Sequence, residues 1–477
     1  MALSSTITTI AMAALAAALA AFPASAETVS VPAGSGKSLQ MFLDLARPGD
    51  VLRLAPGEHR GPITVSVAVT LEGEPGAEIV GNGNGSTVAI TAPGATVRGL
   101  TVRGSGSDIT TLDSGIFLDR TAKGALVEGN AVIGNLYGIY IYGADDALVK
   151  DNRIEGMRDG RSTEAGNGVH LWNAPGARVI GNDISQGRDG IFTNASHHNV
   201  FSGNRFSDVR FAIHYMYTND SEISDNVSTG NSVGYAIMYS DRLTITGNVS
   251  DGDRDHGLLL NTAKGSRISD NVVVGRMQPI SRWLMAGRRG DSHGVPMGGG
   301  DGVVDASGLR LGPDKCVFIY NANRNDFSGN WFENCAIGIH FTAGSEGNRM
   351  SGNAFINNRN QVKYVGTRYL DWSADGRGNY WSDNPAFDLD GDGLADAPYR
   401  PNDLVDRVLW TAPQAKILTN SPAVQVIRWA QNQFPALLPG GVVDSHPLMA
   451  PPPPPASSPR ASSPQASSPQ ASRTQTR

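Results

Sequence analysis

The chain repeats one short step along most of its length. An apolar residue, any residue, Gly or Asp and then Asn recur as VEGN ending at Asn130, VKDN at Asn152, VIGN at Asn182, FSGN at Asn204, ISDN at Asn226, ITGN at Asn248, ISDN at Asn271, FSGN at Asn330 and MSGN at Asn353. From Asn182 the intervals are 22, 22, 22 and 23 residues, and the last is 23. Each unit shows strand-type alternation and no helix-length apolar stripe, so alone it cannot bury a face. Stacked units can, because each strand then pairs with the strands of the turns above and below. The pattern predicts an all-β solenoid, a right-handed parallel β-helix with rungs of about 22 residues and asparagines laddering at the turns. Two intervals are longer. Asn152 to Asn182 is 30 residues, which places a loop at 156–168, and Asn271 to Asn330 is 59 residues, which holds either extra rungs or an insertion at about 276–306.

A solenoid has open ends that template aggregation unless they are covered. Residues 37–46, KSLQMFLDLA, suit a short amphipathic helical cap at the N-terminal end. Residues 402–434 switch to helical spacing, interrupted at Pro413 and Pro422, and suit a helical cap at the other. The expected organisation is a signal segment at 1–26, the solenoid at 27–383, an Asp-rich loop and helical cap at 384–448, and a disordered Pro/Ser-rich tail at 449–477. The signal reading rests on a run of small apolar residues ending in Ala-Ser-Ala, with cleavage after Ala26, and it implies export. A formal net charge of −6 offers no electrostatic footprint for nucleic acid. Of two cysteines, Cys316 opens a strand and Cys335 precedes one by three residues. Ideal stacking offsets them laterally, so a disulfide needs a distorted turn, and free thiols are the alternative.

The strands after each Asn step align as GIFLD (115–119), GIYIY (138–142), GVHLW (168–172), GIFTN (190–194), AIHYM (212–216), GYAIM (234–238), GLLLN (257–261), CVFIY (316–320) and GIHFT (338–342). Their second and fourth columns are mostly aliphatic and read as inward. Alternation then turns the third and fifth columns outward. The third column is Phe117, Tyr140, His170, Phe192, His214, Ala236, Leu259, Phe318 and His340. The fifth includes Trp172, Met216 and Met238. An exposed apolar and aromatic strip of that extent marks a binding face, unless a loop or the tail covers it.

His214 and Met216 lie two residues apart on one strand, roughly 6.5–7 Å at Cα, and Met216 and Met238 stack on adjacent rungs about 4.8 Å apart. One imidazole with two thioethers is a soft donor set suited to Cu(I). The methionines are equally suited to packing against a partner's apolar surface. His170, Trp172 and His340 complete the candidate copper- and partner-binding face. Met277, Met285, Met297 and His293 in the 276–306 segment form a second copper-compatible group or simply fill a loop.

Two carboxylate motifs remain. DGDRDHG places Asp253, Asp255 and His256 beside the outward sheet, where acids and a histidine can serve proton transfer at a sugar carbon. DLDGDGLADAPY sets Asp388, Asp390, Asp392 and Asp396 at positions 1, 3, 5 and 9 of a calcium-type loop, with Tyr399 where a bidentate Glu is usual. Without a cation the same run is a series of Asp-Gly turns.

Several stretches together resemble the NosD family: RFAIHYMYTND (210–220), VGYAIMYSDRL (233–243), DKCVFIYNANRN (314–325), GIHFTAGSE (338–346), the run from Gly378 to Trp410, and the run from Asn420 to Met449. The resemblance covers roughly residues 30–450 and is most specific in the C-terminal stretch. It implies a periplasmic β-helix protein without catalytic residues that sits on the subunits of an ABC transporter. It also implies cooperation with a copper chaperone to complete the copper–sulfur centre of nitrous oxide reductase. The Asp/His run supports the alternative of a carbohydrate-active β-helix enzyme, a polyuronate epimerase or lyase.

Overall fold

The computed structural model describes residues 26–456, apart from 35, 37, 158–164, 287–303, 343, 367, 412–413, 415–420 and 434–439. Residues 1–25 of the signal segment, 158–164 of the expected 156–168 loop, the end of the tail beyond residue 456, His293, Met297 and Pro413 lie outside the described residues. No helix among the described residues is long and apolar enough to cross a membrane.

Each turn of the chain contributes one strand to each of three parallel sheets, of 13, 12 and 13 strands. One rung shows the rule. Val200–Ser202 enters the first sheet, Arg205–Ser207 the second and Phe211–Met216 the third. The Asn step makes the sharp corner between the first two. The residue before each Asn sits in the left-handed region, as at Gly203 (φ 65°), Asp225 (φ 55°), Gly247 (φ 66°) and Asp270 (φ 57°). Gly enters that region freely and Asp tolerates it, which explains why only these two residue types occupy the third place of the repeat.

The Asn side chains then join the rungs. Nδ2 of Asn204 donates to Oδ1 of Asn226 at 3.0 Å, Asn226 to Asn248 at 2.9 Å and Asn248 to Asn271 at 2.9 Å. The ladder runs from Asn130 to Asn379. All of these asparagines are buried. Inside, the aliphatic columns form one continuous core, with Ile191, Ile213, Ile237 and Leu260 among its members.

The long interval holds an insertion and no extra rung, because the Asn271 N–H and Nδ2 both donate directly to Oδ1 of Asn330. Strands Arg276–Pro279 and Leu309–Gly312 pair antiparallel at its base. The two cysteines, both buried, form a disulfide with Cα atoms 5.6 Å apart, so the turn before Cys335 supplies the offset that ideal stacking lacks.

The N-terminal cap forms as helix α1 (Leu39–Leu45), with Ser38 Oγ accepting from the Met41 N–H and Leu39 and Leu43 packed into the core. A short helix, α2 (Ser281–Leu284), belongs to the insertion. At the other end lie α3 (Leu404–Thr411) and α4 (Pro422–Gln433). Pro422 is the first residue of α4, where a missing N–H costs nothing. The layer that seals the core there is aromatic. Trp381 stacks on Phe355 with ring centroids 4.2 Å apart, Trp372 lies beside both, and Asp444 accepts from Trp381 Nε1 at 2.8 Å.

Candidate functional site

The twelve-stranded sheet carries the outward columns in the expected register. Phe192, His214 and Ala236 are paired neighbours on successive strands, as are Asn194, Met216 and Met238. His214, Met216 and Met238 therefore share two adjacent rungs. The other candidates are not brought to them. His170 is two rungs from His214, with Phe192 between, and Trp172 is two rungs from Met216, each roughly 10 Å away at the rung spacing. His340 is four rungs from His214, roughly 19 Å.

Solvent exposure departs from the expectation for this face. Alternation does keep His214 and Met216 out of the core that holds Ile191, Ile213 and Leu258. Yet His214 is only 8% exposed, and Tyr140, Ala236 and Leu259 are buried as well. The residues that begin the strands cover them. Phe211 and Val233 pack with Ala236 and Leu259 into a second apolar cluster outside the sheet, against which Met238 and Phe318 rest. Leu136, Tyr137 and Tyr140 form another. The middle of the strip is thus a thin outer core, while its other members are half-buried. Its open parts include Trp172, stacked on Tyr142 at 4.9 Å, Tyr320, and the stacked pair Tyr217 and Tyr239 that follow the two methionines.

His214 is held by residues the sequence did not single out. Its Nδ1 lies 3.2 Å from Oδ2 of Asp189, and Arg210 clamps the same carboxylate through Nε and Nη2 at 2.8 and 2.7 Å. Burial alone would raise the Asp189 pKa, but Arg210 and the His214 hydrogen bond overcome it and hold the group well below the usual carboxylate range. Phe192 and Phe211 stand edge-on to the imidazole at 5.0 and 4.8 Å. Nε2 is buried and has no hydrogen-bond partner among the described residues. A ring nitrogen oriented through its other N–H by a carboxylate is the usual preparation of a metal-binding histidine. Asp189 was missed because it precedes the aligned columns, at a corner where alternation gives no direction.

His170 is placed differently. Its ring stacks on Tyr140 at 4.3 Å, and its Nδ1 lies 2.9 Å from Nδ2 of Asn167. Burial lowers its pKa to about 3, outweighing the nearby Asp189 charge.

The Asp/His run is not beside open sheet. Asp253, Arg254, Asp255 and His256 are all buried. Asp253 accepts from Ser250 Oγ, Ser228 Oγ and the Asn231 N–H at 2.6 to 2.9 Å, yet burial still lifts its pKa to about 6. Arg254 pairs with Asp255 through two bonds of 3.0 and 2.9 Å. The insertion folds over this turn, with Gln278 donating to the carbonyls of Gly252 and Asp253 and Arg282 to that of Gly252. These residues lock a corner shut, which is why their position beside the sheet does not make them accessible.

In the C-terminal loop the carboxylates of Asp388, Asp390 and Asp392 offer oxygens within 4.8 Å of one another. Asp396 is not one of the three and accepts from the Leu389 N–H at 2.8 Å, and Tyr399 donates to Asp383. The Asp392 N–H would lower the Asp390 pKa, but the neighbouring carboxylates and desolvation raise it overall.

A family profile described as NosD, periplasmic copper-binding protein, matches residues 155–386. The "Probable ABC transporter binding protein NosD" of Stutzerimonas stutzeri is 43% identical over 397 residues, covering 83% of this chain and 86% of that protein. The protein of the same description from Pseudomonas aeruginosa is 43% identical over 407 residues, covering 85% and 89%. Among solved structures, the Dettilon tailspike protein is similar with a TM-score of 0.46 and 17% identity, over 67% of this chain and 63% of that one. On the extent and identity of the match to its relatives, the chain belongs to the NosD family.

Proposed function

We propose that this chain is a periplasmic, non-catalytic maturation factor for nitrous oxide reductase. It docks on the subunits of an ABC transporter, receives Cu(I) from a copper chaperone and supports assembly of the reductase's copper–sulfur centre. The observation that carries the copper part is His214, buried, oriented by Asp189 and left with an unpartnered Nε2 on the same outward face as Met216 and Met238. These three residues would hold the ion. Neutral imidazole and thioethers favour Cu(I) over hard cations. The transporter part is supported by the relatives' description as ABC transporter binding proteins, and the copper part also by the family description.

The sugar-active alternative is disfavoured by the burial of Asp253, Asp255 and His256, because an acid–base group must come within hydrogen-bond reach of its substrate. Deleting the gene in a denitrifying host should yield reductase protein without the complete copper–sulfur centre. An intact centre in the deletion strain would refute the maturation role.

We also propose that Asp388, Asp390 and Asp392 bind a structural calcium ion. Their loop is joined to the C-terminal return through Ala395 N–H to Pro447 O at 2.8 Å and Met449 N–H to Gly393 O at 3.0 Å. Calcium should raise the midpoint of thermal unfolding, and Asp390→Ala with Asp392→Ala should abolish that gain. Equal midpoints in calcium and in chelator would end this proposal.

A further inference from the structure

Two histidines of the outward column differ in which ring nitrogen carries the proton, and the difference can be read from their partners. The Asp189 main-chain N–H can only donate, and it lies 3.2 Å from Oδ1 of Asn167. That contact fixes the amide's orientation, so Asn167 Nδ2–H donates to Nδ1 of His170. The His170 ring therefore carries its proton on Nε2, and its lone pair is already engaged. At His214 the partner is reversed. Asp189 is a carboxylate clamped by Arg210 and can only accept, so His214 donates through Nδ1–H. In the neutral ring the lone pair of His214 is then on Nε2, the atom with no partner among the described residues.

We infer that Asp189 and Asn167 impose opposite tautomers on His214 and His170, so that His214 Nε2 alone offers Cu(I) a lone pair and Asp189 acts as its positioning residue. This rests on the copper reading above, and it narrows the histidines of that face from three candidates to one. His170 is thereby a packing residue, stacked on Tyr140 with Phe192 tilted against its other side. His340 is too distant along the solenoid to join His214 at one ion.

The role of Asp189 follows from what replaces it. Asp189→Ala removes the oxygen that His214 Nδ1 shares with Arg210 Nη2. Nothing then holds the ring proton on Nδ1, and the lone pair at Nε2 is no longer imposed. Removing a partner that orients a metal-binding histidine typically lowers affinity roughly 10- to 100-fold.

The test uses the full mature chain, copper-free, with ¹⁵N-labelled histidine. His214 and His170 resonances are assigned from His214→Gln and His170→Gln. The expected signature in the unsubstituted protein is Nδ1–H for His214 and Nε2–H for His170, with Asp189→Ala adding Nε2–H at His214. Anaerobic titration with Cu(I) should show affinity reduced at least tenfold in Asp189→Ala and unchanged in His170→Gln. Should Asp189→Ala fail to fold, the tautomers of the unsubstituted protein and the His170→Gln titration still decide the matter. Nε2–H on His214 of the unsubstituted protein, equal affinity in Asp189→Ala, or lost affinity in His170→Gln overturns the inference. Correct tautomers in a protein that takes up no Cu(I) overturn the copper reading instead.

Discussion

Alanine at His214, Met216 and Met238 together is expected to leave a folded solenoid and a reductase that accumulates without its complete copper–sulfur centre. None of the three belongs to the continuous inner core. The cost in stability is nevertheless real, because His214 is buried and donates to a carboxylate. Loss of such a charge-assisted bond costs roughly 1.5–3 kcal/mol, and Asp189 keeps both bonds from Arg210. Met216→Leu with Met238→Leu provides a sharper companion. It preserves volume, costs less than about 1.5 kcal/mol per site and removes only the thioethers. Both variants should impair the centre while circular dichroism and export level remain near those of the unsubstituted protein. Isolated protein should bind Cu(I) weakly, since a transfer site must release its ion to the next partner. Full reductase activity with the triple variant would exclude this cluster from copper handling.

The second large effect concerns the ladder. Asn226→Ala is expected to destabilise the solenoid by about 3 kcal/mol or more, since each buried polar group left unpaired costs roughly 1–3 kcal/mol. Asn226 Oδ1 accepts from both the N–H and Nδ2 of Asn204, at 3.0 Å each, and its Nδ2 donates to Phe201 O at 2.8 Å. Its Nδ2 also donates to Asn248 Oδ1 at 2.9 Å, so alanine takes a bond from four groups in a space closed to water. Asp225→Gly, one residue earlier, is the control. Its φ of 55° lies where Gly is at ease, so that change should be neutral or slightly stabilising. Urea unfolding of the two variants separates the hypotheses: equal midpoints would mean that the ladder asparagines contribute only corner geometry.

Much of the architecture was legible because the repeat is local chemistry copied along the chain. The [Gly/Asp]-Asn pair encodes a left-handed corner followed by a side chain able to bridge rungs, so the period, the corners and the inward columns all follow from residues close in sequence. The same reasoning placed Met216 beside Met238 and put His214 on their side of the sheet. It failed at the leading residue of each strand. Phe211 and Val233 occupy a corner where period-two alternation assigns no direction, and they cover the middle of the expected open strip with a second apolar layer.

The site divides along the same line. The repeat alone sets which donor atoms share two adjacent rungs, because a solenoid converts a 22-residue spacing into a neighbouring position one strand away. How those donors are prepared emerges only in three dimensions. The Asp189–His214 contact spans 25 residues and Asn167–Asp189 spans 22, and both depend on side-chain rotation at corners that the repeat leaves free. Burial was likewise decided in three dimensions. Asp253, Asp255 and His256 read as accessible until the insertion, 20 or more residues later in sequence, folds back over their corner and excludes water.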